Sequence, residues 1–283
     1  MRVQTTRHFS LPKHLRTYLF LIILGIFVAF PLAAVVITSF NRSGAILNFP
    51  PSMLTEPTLD NYTHLFSQPD LQLPRWLFNS FFVSTTTTIL ILIVCSLAAY
   101  AFARLRFPGR DVIFFVLLAT IMVPAQITLI PNFLLLRDLH FLNSYNALIW
   151  PGVANVFAVF LLRQFFMAIP RDLEEAAFLD GASHFGVFYR IVLPLSTSSL
   201  VAAGIFVFLA NWNDLFWPLL VINNTEMRTL PVGLTVLNGS FGNLDRGMVL
   251  AGATFGLVPV LVVYLFFQNR IIKGITMTGL AGQ

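Results

Sequence analysis

Residues 174–194 read EEAAFLDGASHFGVFYRIVLP, and they form a polar, amphipathic stretch between two long apolar stretches of the chain. An otherwise hydrophobic chain that keeps such a stretch is expected to present it to another molecule. Pro194 closes the stretch and is predicted to open the next apolar helix, where its missing N–H costs little. The fold on either side follows from the composition of the rest of the chain.

The composition is typical of an integral membrane protein. Hydrophobic residues make up 57% of the 283 residues and charged residues only 10%, whereas soluble domains carry roughly 25% charged residues. So few charges cannot cover a water-exposed surface. The net charge of +5 comes from basic residues scattered in short loops, not from one basic patch. A nucleic-acid partner is therefore not expected, whereas contact with membrane lipid is expected.

Six apolar stretches are long enough to cross a bilayer, which takes about 20 residues. The predicted fold class is therefore all-α integral membrane with six transmembrane helices. We predict these helices at residues 17–40, 79–103, 112–131, 145–167, 196–221 and 248–268. The domain plan is a cytoplasmic N-terminus (1–16), a first helix (17–40), an extracytoplasmic loop (41–78), a five-helix core (79–268) and a cytoplasmic tail (269–283). The proline-rich loop is expected to be an ordered extramembrane loop or a flexible linker.

The distribution of Lys and Arg orients these helices, because basic residues concentrate in cytoplasmic loops. Most of the 17 Lys and Arg residues fall on the same side as the N-terminus if the six helices alternate. This distribution predicts that both termini lie in the cytoplasm together with residues 168–195, which we call the polar segment. Residues 41–78 and 222–247 are then extracytoplasmic.

Local signals predict two short helices inside the polar segment. Pro170 ends the preceding helix, because the residue before a proline is steered away from helical angles. Asp172 as N-cap with Glu175 at the third position fits a capping box. Gly181 is predicted to end the first short helix in a left-handed conformation, and Ser183 to cap a second one that extends through residue 190.

The charge of the polar segment argues against a helix that merely lies on the membrane surface. Interfacial helices usually carry Lys or Arg on their polar face. This segment instead carries four acidic residues against one arginine at its start, namely Asp172, Glu174, Glu175 and Asp180 against Arg171. Its composition therefore favours docking to a protein.

The spacing of the motif resembles the EAA loop of bacterial ABC-importer permeases, by which the membrane subunit holds its ATPase. The motif runs Glu175-Ala176-Ala177, three residues, Gly181, nine residues, Ile191, one residue and Leu193-Pro194. Other stretches resemble the second permease subunit of the maltose-type carbohydrate importers, and the likeness spans about residues 17–274. These stretches are Asn211-Trp212-Asn213-Asp214, Trp217-Pro218-Leu219-Leu220, Thr229-Leu230-Pro231-Val232-Gly233-Leu234 and Gln268-Asn269-Arg270-Ile271-Ile272-Lys273-Gly274.

The resemblance implies a type I (MetI-like) permease bundle with cytoplasmic coupling helices, in a bacterial or archaeal cytoplasmic membrane. It implies three kinds of partner: an ATPase dimer, a second homologous permease and an extracytoplasmic substrate-binding protein. It also implies that the residues that couple to the ATPase are Glu174, Glu175, Ala176, Ala177, Asp180 and Gly181. The transported solute is expected to be a carbohydrate (a sugar, oligosaccharide or polyol), with glycerol phosphate or a related solute as the alternative.

The chain itself is expected to be non-catalytic. A nucleotide-binding loop of the common kind ends in Gly-Lys-Ser/Thr, and neither of the two lysines, Lys13 and Lys273, completes that motif. ATP and Mg²⁺ are thus expected on the partner ATPase, and no cofactor, metal site or catalytic residue is expected on this chain.

Two further groups are candidates for contact with the solute or the binding protein. The first is a polar and aromatic cluster in the fifth predicted helix: Asn211, Trp212, Asn213, Asp214 and Trp217. An intramembrane acid is by default a functional-site hypothesis, and the alternative is that these groups bond neighbouring helices. The second lies in the loop 222–247 and comprises Asn238, Gly239, Ser240 and Gly242, for which the alternative is a simple connector.

Two other classes of membrane protein compete with the importer hypothesis. A secondary transporter or channel would need ion sites near the middle of the membrane, and only Asp214 is a candidate. Such a protein also has no evident use for a cytoplasmic docking segment. The second competing class is a non-transporting membrane scaffold.

Overall fold

The computed structural model describes residues 15–42, 56–68, 71–240 and 246–280, and within these ranges most residues are helical. The first half of the chain contains α1 (Leu15–Thr38), α2 (Asp60–Ser67), α3 (Leu73–Arg104), α4 (Arg110–Thr120), α5 (Ala125–Asp138), α6 (Tyr145–Ile149) and α7 (Val156–Ala168). The second half contains α8 (Asp172–Leu179), α9 (His184–Val187), α10 (Leu193–Leu195), α11 (Thr197–Trp212), α12 (Phe216–Val221), α13 (Leu230–Ser240) and α14 (Arg246–Leu280).

The described residues contain up to six spans if each bent helix pair is counted as a single span. Three helices are individually long and apolar enough to cross a membrane, over Thr17–Thr38, Leu73–Arg104 and Arg246–Gln268. Three further pairs qualify together, each with a sharp bend: α4 with α5 at 95°, α6 and the turn after it with α7 at 44°, and the helical stretch His184–Leu195 with α11 at 77°. The predicted all-α membrane fold is confirmed, but half of its spans are bent.

The third predicted span, 112–131, is not one helix. α4 ends at Thr120 and α5 begins at Ala125, with Pro124 in an extended conformation between them. In a continuous helix Pro124 would lack the N–H that bonds the Thr120 carbonyl, and its ring would clash with that carbonyl. The helix accordingly ends at Thr120.

The fifth predicted span, 196–221, is interrupted in the same way. α11 ends at Trp212 and α12 begins at Phe216. In an unbroken helix Pro218 would oppose the carbonyl of Asp214. In addition, the amide of Asn213 donates to the Leu209 carbonyl at 2.8 Å, and such side-chain bonds compete with the helical backbone.

Two helices are longer than predicted. α3 begins at Leu73, six residues before the predicted start at 79, because Pro74 fits the first turn of a helix and the exposed Arg75 does not interrupt it. α14 continues to Leu280, well beyond the predicted end at 268. In both cases the helix extends beyond the apolar run into more polar sequence.

The described part of the loop 41–78 is structured. The amide of Asn61 on α2 donates to the carbonyls of Ser39 and Asn41 at 2.7 and 2.8 Å. The Ser39 and Tyr62 hydroxyls are also bonded to each other at 2.6 Å. α2 is thereby fixed to the end of α1, which favours an ordered loop over a flexible linker in this part.

α3 is the central helix of the bundle, because it contributes to each of the three clusters of buried apolar residues found in the described part of the chain. One cluster joins α3 to α4, α7, α11 and the polar segment and includes Tyr100 and Phe188. A second joins α3 to α2, α11, α13 and α14 around Trp76. The third joins Val83 of α3 to α5, α6 and α12. In contrast, the most apolar window of α1 has no buried residue, which leaves that helix available to lipid or to another chain.

Candidate functional site

The polar segment folds into the short helices α8, α9 and α10, with a π-helical turn at Phe188–Val192 between α9 and α10. The preceding helix α7 ends at Ala168, and Ile169 is extended, as Pro170 predicts. The prediction of an N-cap at Asp172 is wrong by one residue. Arg171 occupies the N-cap position without a side-chain bond, and Asp172 is the first helical residue. The capping box is therefore absent, although three acidic side chains still lie in the first turn, where the helix dipole favours them.

Gly181 ends α8 as predicted. Its φ is +83°, in the left-handed region that residues other than glycine rarely adopt. The Gly181 N–H donates to the Phe178 carbonyl at 3.1 Å and the Ala182 N–H to the Ala177 carbonyl at 2.9 Å. This pair of bonds is a Schellman motif, which satisfies the last carbonyls of the helix.

Ser183 caps α9 as predicted, because its hydroxyl accepts from the Gly186 N–H at 3.2 Å. The predicted second helix through residue 190 is regular only to Val187 and then widens into the π turn. Pro194 accounts for this change, since its ring would clash with the Arg190 carbonyl in a regular helix. A bend of 77° follows before α11.

One face of the polar segment is packed into the bundle. Val187, Phe188 and Val192 are fully or almost fully buried, and Ala177 and Phe178 pack against the same cluster. The segment is therefore held by apolar contacts along both of its halves. It is a fixed surface rather than a free loop.

The opposite face of the polar segment is exposed and combines acidic with apolar groups. Of the predicted coupling residues, Glu175, Ala176, Asp180 and Gly181 are exposed and Ala177 is half-buried. Leu179 and Phe185 stand beside them with 89% and 68% of their surface exposed. Sequence reasoning missed these two, although a large apolar side chain within a polar segment is a signal of a contact surface.

Glu174 differs from the other predicted coupling residues, because it points into the protein. Its Oε1 lies 2.7 Å from Nε of Arg104 at the end of α3, and the two side chains are only 7% and 6% exposed. Burial raises the pKa of the Glu174 carboxyl, while the charges of Arg104, Arg171 and His184 oppose that rise. Glu174 thus forms an internal ion pair and is absent from the outer face.

The predicted cluster around the fifth span is divided by the break between α11 and α12. Trp212 is buried and donates from Nε1 to the Gly256 carbonyl of α14 at 3.1 Å, and Asn211 bonds the Val207 carbonyl at 2.8 Å. These two side chains are used in packing. Asn213 is exposed, and Trp217 is half-buried and bonds the Ala147 carbonyl at 2.8 Å.

A cavity of about 280 Å³ lies where the two helix breaks meet. It is lined by Ala125, Gln126, Leu129, Asp214, Phe216 and Trp217. It therefore brings two predicted residues, Asp214 and Trp217, together with Gln126, which sequence reasoning missed. Discontinuous transmembrane helices commonly form the substrate sites of transporters.

The third predicted group is only partly within the described residues. Asn238, Gly239 and Ser240 end α13, and their side chains lie outside the described part. Gly242 lies outside the described residues altogether. The helix α13 itself is anchored, because Leu230 at its start donates its N–H to the Ser80 hydroxyl at 2.8 Å.

The known proteins that this chain resembles are transport permeases of one kind. The chain is 36% identical over 267 residues to the arabinooligosaccharides transport system permease protein AraQ of Bacillus subtilis, covering 93% of this chain and 94% of the relative. It is 34% identical over 265 residues to the trehalose/maltose transport system permease protein MalG of Thermococcus litoralis, covering 93% and 95%.

A solved structure shares the fold. It belongs to a bacterial ABC transporter involved in the import of the acidic polysaccharide alginate; the match has a TM-score of 0.78 at 23% identity and covers 93% of this chain and 99% of that one. Residues 91–275, which include α7 to α13, match the family described as the binding-protein-dependent transport system inner membrane component. With its bent spans and packed polar segment, the chain belongs to this family of multi-pass ABC-importer permeases.

Proposed function

We propose that this chain is the carbohydrate-translocating permease subunit of an ATP-driven importer and that it works by alternating access. The observation that carries the proposal is the two-faced polar segment. Its inner face is fixed to the bundle by Val187, Phe188 and Val192, while its outer face presents Glu175, Leu179 and Phe185. A surface that is rigidly attached on one side and exposed on the other can convey the movement of a docked partner.

The partner on this face is an ATPase dimer, which binds the ATP and Mg²⁺. Apolar side chains supply the contact area, and the carboxylates of Glu175 and Asp180 suit basic groups on the partner. The polar segment and both termini then lie in the cytoplasm. The substrate-binding protein approaches from the other side, where α13 and the loop 222–247 face it.

The carbohydrate passes near the cavity between the helix breaks. Trp217 and Phe216 offer aromatic faces, and Gln126 and Asp214 offer hydrogen-bonding groups. A cavity of about 280 Å³ is slightly below the usual range for ligand sites, which starts near 300 Å³. A second homologous permease across the pathway completes the site.

The lining of this cavity favours a neutral sugar over glycerol phosphate. Among its described lining residues, the one charged side chain is the acid Asp214. A phosphate would be repelled by that carboxylate and would find no arginine or lysine there.

The apolar outer surfaces of α1 and α4 face lipid and the second permease.

Purification of the tagged chain from its native host tests the proposal. An ATPase, a homologous permease and a binding protein should copurify. The complex, reconstituted in proteoliposomes, should accumulate labelled sugar only when ATP is enclosed in the vesicle lumen. Excess glycerol 3-phosphate should not compete. A homo-oligomer without an ATPase, or uptake driven by an ion gradient alone, would contradict the proposal.

A further inference from the structure

The ion pair of Arg104 and Glu174 joins parts of the molecule that are far apart in the chain. Its Nε–Oε1 distance is 2.7 Å and both side chains are buried. Nη2 of the same guanidinium donates to the Ile169 carbonyl at 2.6 Å. One side chain at the end of α3 therefore holds the polar segment at two points, before α8 and within its first turn.

A second contact comes from the preceding turn of α3. The ring of Tyr100 packs on Phe188 with the centroids 5.1 Å apart. Phe188 lies in the second half of the polar segment, after α9. The last two turns of α3 consequently touch both halves of the segment.

The opposite end of α3 is bound to a different connection. Nε1 of Trp76 donates to the Thr225 carbonyl at 2.9 Å, and Nδ2 of Asn79 donates to the Arg228 carbonyl at 2.8 Å. These bonds fix residues 225–230, which lead directly into α13. With 32 residues, α3 spans about 48 Å at 1.5 Å per residue, and its one proline, Pro74, lies in the first turn.

We propose that α3 transmits movement between the polar segment and the connection 225–230, and that Arg104 and Glu174 are the positioning residues that attach the segment to it. The inference rests on the proposed function, because it takes the polar segment as the surface that the ATPase moves. Chain order attaches the segment only to α7 and α11. The ion pair adds an attachment to the central helix, and it resists separation because each partner would be left as a buried unpaired charge.

The assembled complex in proteoliposomes, with ATPase, second permease and binding protein, allows a direct test. The quantity measured is sugar transported per ATP hydrolysed. Arg104→Met and Glu174→Gln should each lower it by at least about fivefold, the lower range of coupling effects. The transport ratio of the double variant should fall no further than that of the worse single variant, because both changes remove the same contact. Arg104→Lys keeps the charge and should lose least.

Two comparisons make the result specific. The exposed pair Arg137 and Asp138, with an N–O distance of 2.9 Å, is the matched control, and Arg137→Met with Asp138→Asn should leave the ratio unchanged. At the far end of α3, Asn79→Leu should reduce the stimulation of ATP hydrolysis by the binding protein.

Full coupling in the Arg104→Met/Glu174→Gln double variant would overturn the inference, and so would losses that simply add. If a single variant fails to assemble, the double variant decides, since it leaves no buried charge unpaired. For every variant, copurification of the ATPase is measured together with the ratio of sugar transported to ATP hydrolysed. Failure of the ATPase to copurify with the unmodified chain would instead contradict the proposed function.

Discussion

At the scale of single residues, neighbouring positions in the polar segment have opposite environments. Glu174 and Glu175 are adjacent acids, yet the first is buried against Arg104 and the second is exposed. The sequence could not separate them, because the rotation of α8 is set by the bundle beneath it. Gly181 and Ser183, in contrast, act on backbone groups within a few residues, so local chemistry was enough to predict both.

Gly181→Ala should destabilise the end of α8 without any steric clash. Nothing lies within 4 Å of a Cβ at this position, while the φ of +83° is strained for any side chain. The expected cost is about 1–2 kcal/mol, measured as a lower thermal midpoint of the purified complex together with weaker ATPase retention.

Gly186→Ala is the matched control for this change. Its φ is not positive, and its Cβ would lie 3.4 Å from the Ser183 Oγ, an ordinary contact. An alanine there should be neutral or slightly stabilising within α9. Equal losses in the two variants would show that backbone conformation at Gly181 is not the cause.

At the scale of helices, the bends were the part of the fold that sequence reasoning did not place. Pro124 and Pro218 are associated with breaks, whereas Pro31, Pro131 and Pro259 lie inside continuous helices. A proline removes one bond in every case, but whether the helix then breaks depends on what neighbouring elements can bond to the freed groups. That information is tertiary, and hydropathy alone does not contain it.

Pro124→Ala should straighten the junction of α4 and α5, because it restores an N–H for the Thr120 carbonyl. The cavity that depends on Ala125 and Gln126 would then change shape. We expect a higher KM for sugar uptake with ATPase copurification unchanged. Pro131→Ala, in the continuous part of α5, is the control, and an equal rise in KM there would disprove a role for the break.

At the scale of the whole molecule, the central helix α3 separates two of the features described above. The polar segment lies at one end of α3 and the connection 225–230 at the other, with the helix breaks of α4/α5 and α11/α12 elsewhere in the bundle. Apolar patterning predicted the number of spans, and the motif and its flanking residues predicted the short helices of the polar segment. The internal contacts that join these parts, such as Trp76 with Thr225, bring together residues remote in sequence, so no local pattern indicated them.

Assembly with the ATPase should depend on an apolar group that the motif does not contain. Leu179 is 89% exposed, so it contributes little to the folding of this chain, but it lies on the exposed outer face of the polar segment. Leu179→Ala should weaken binding of the ATPase by about 1–3 kcal/mol, roughly 5- to 150-fold in Kd, with the thermal midpoint of the isolated permease pair unchanged. Titration of the ATPase onto the immobilised permease pair measures this. Leu135→Ala, at a 57% exposed position on α5, is the control and should bind as the unmodified chain does. An unchanged Kd for Leu179→Ala would place the contact elsewhere on the segment, because an apolar side chain buried on docking cannot be removed without loss of affinity.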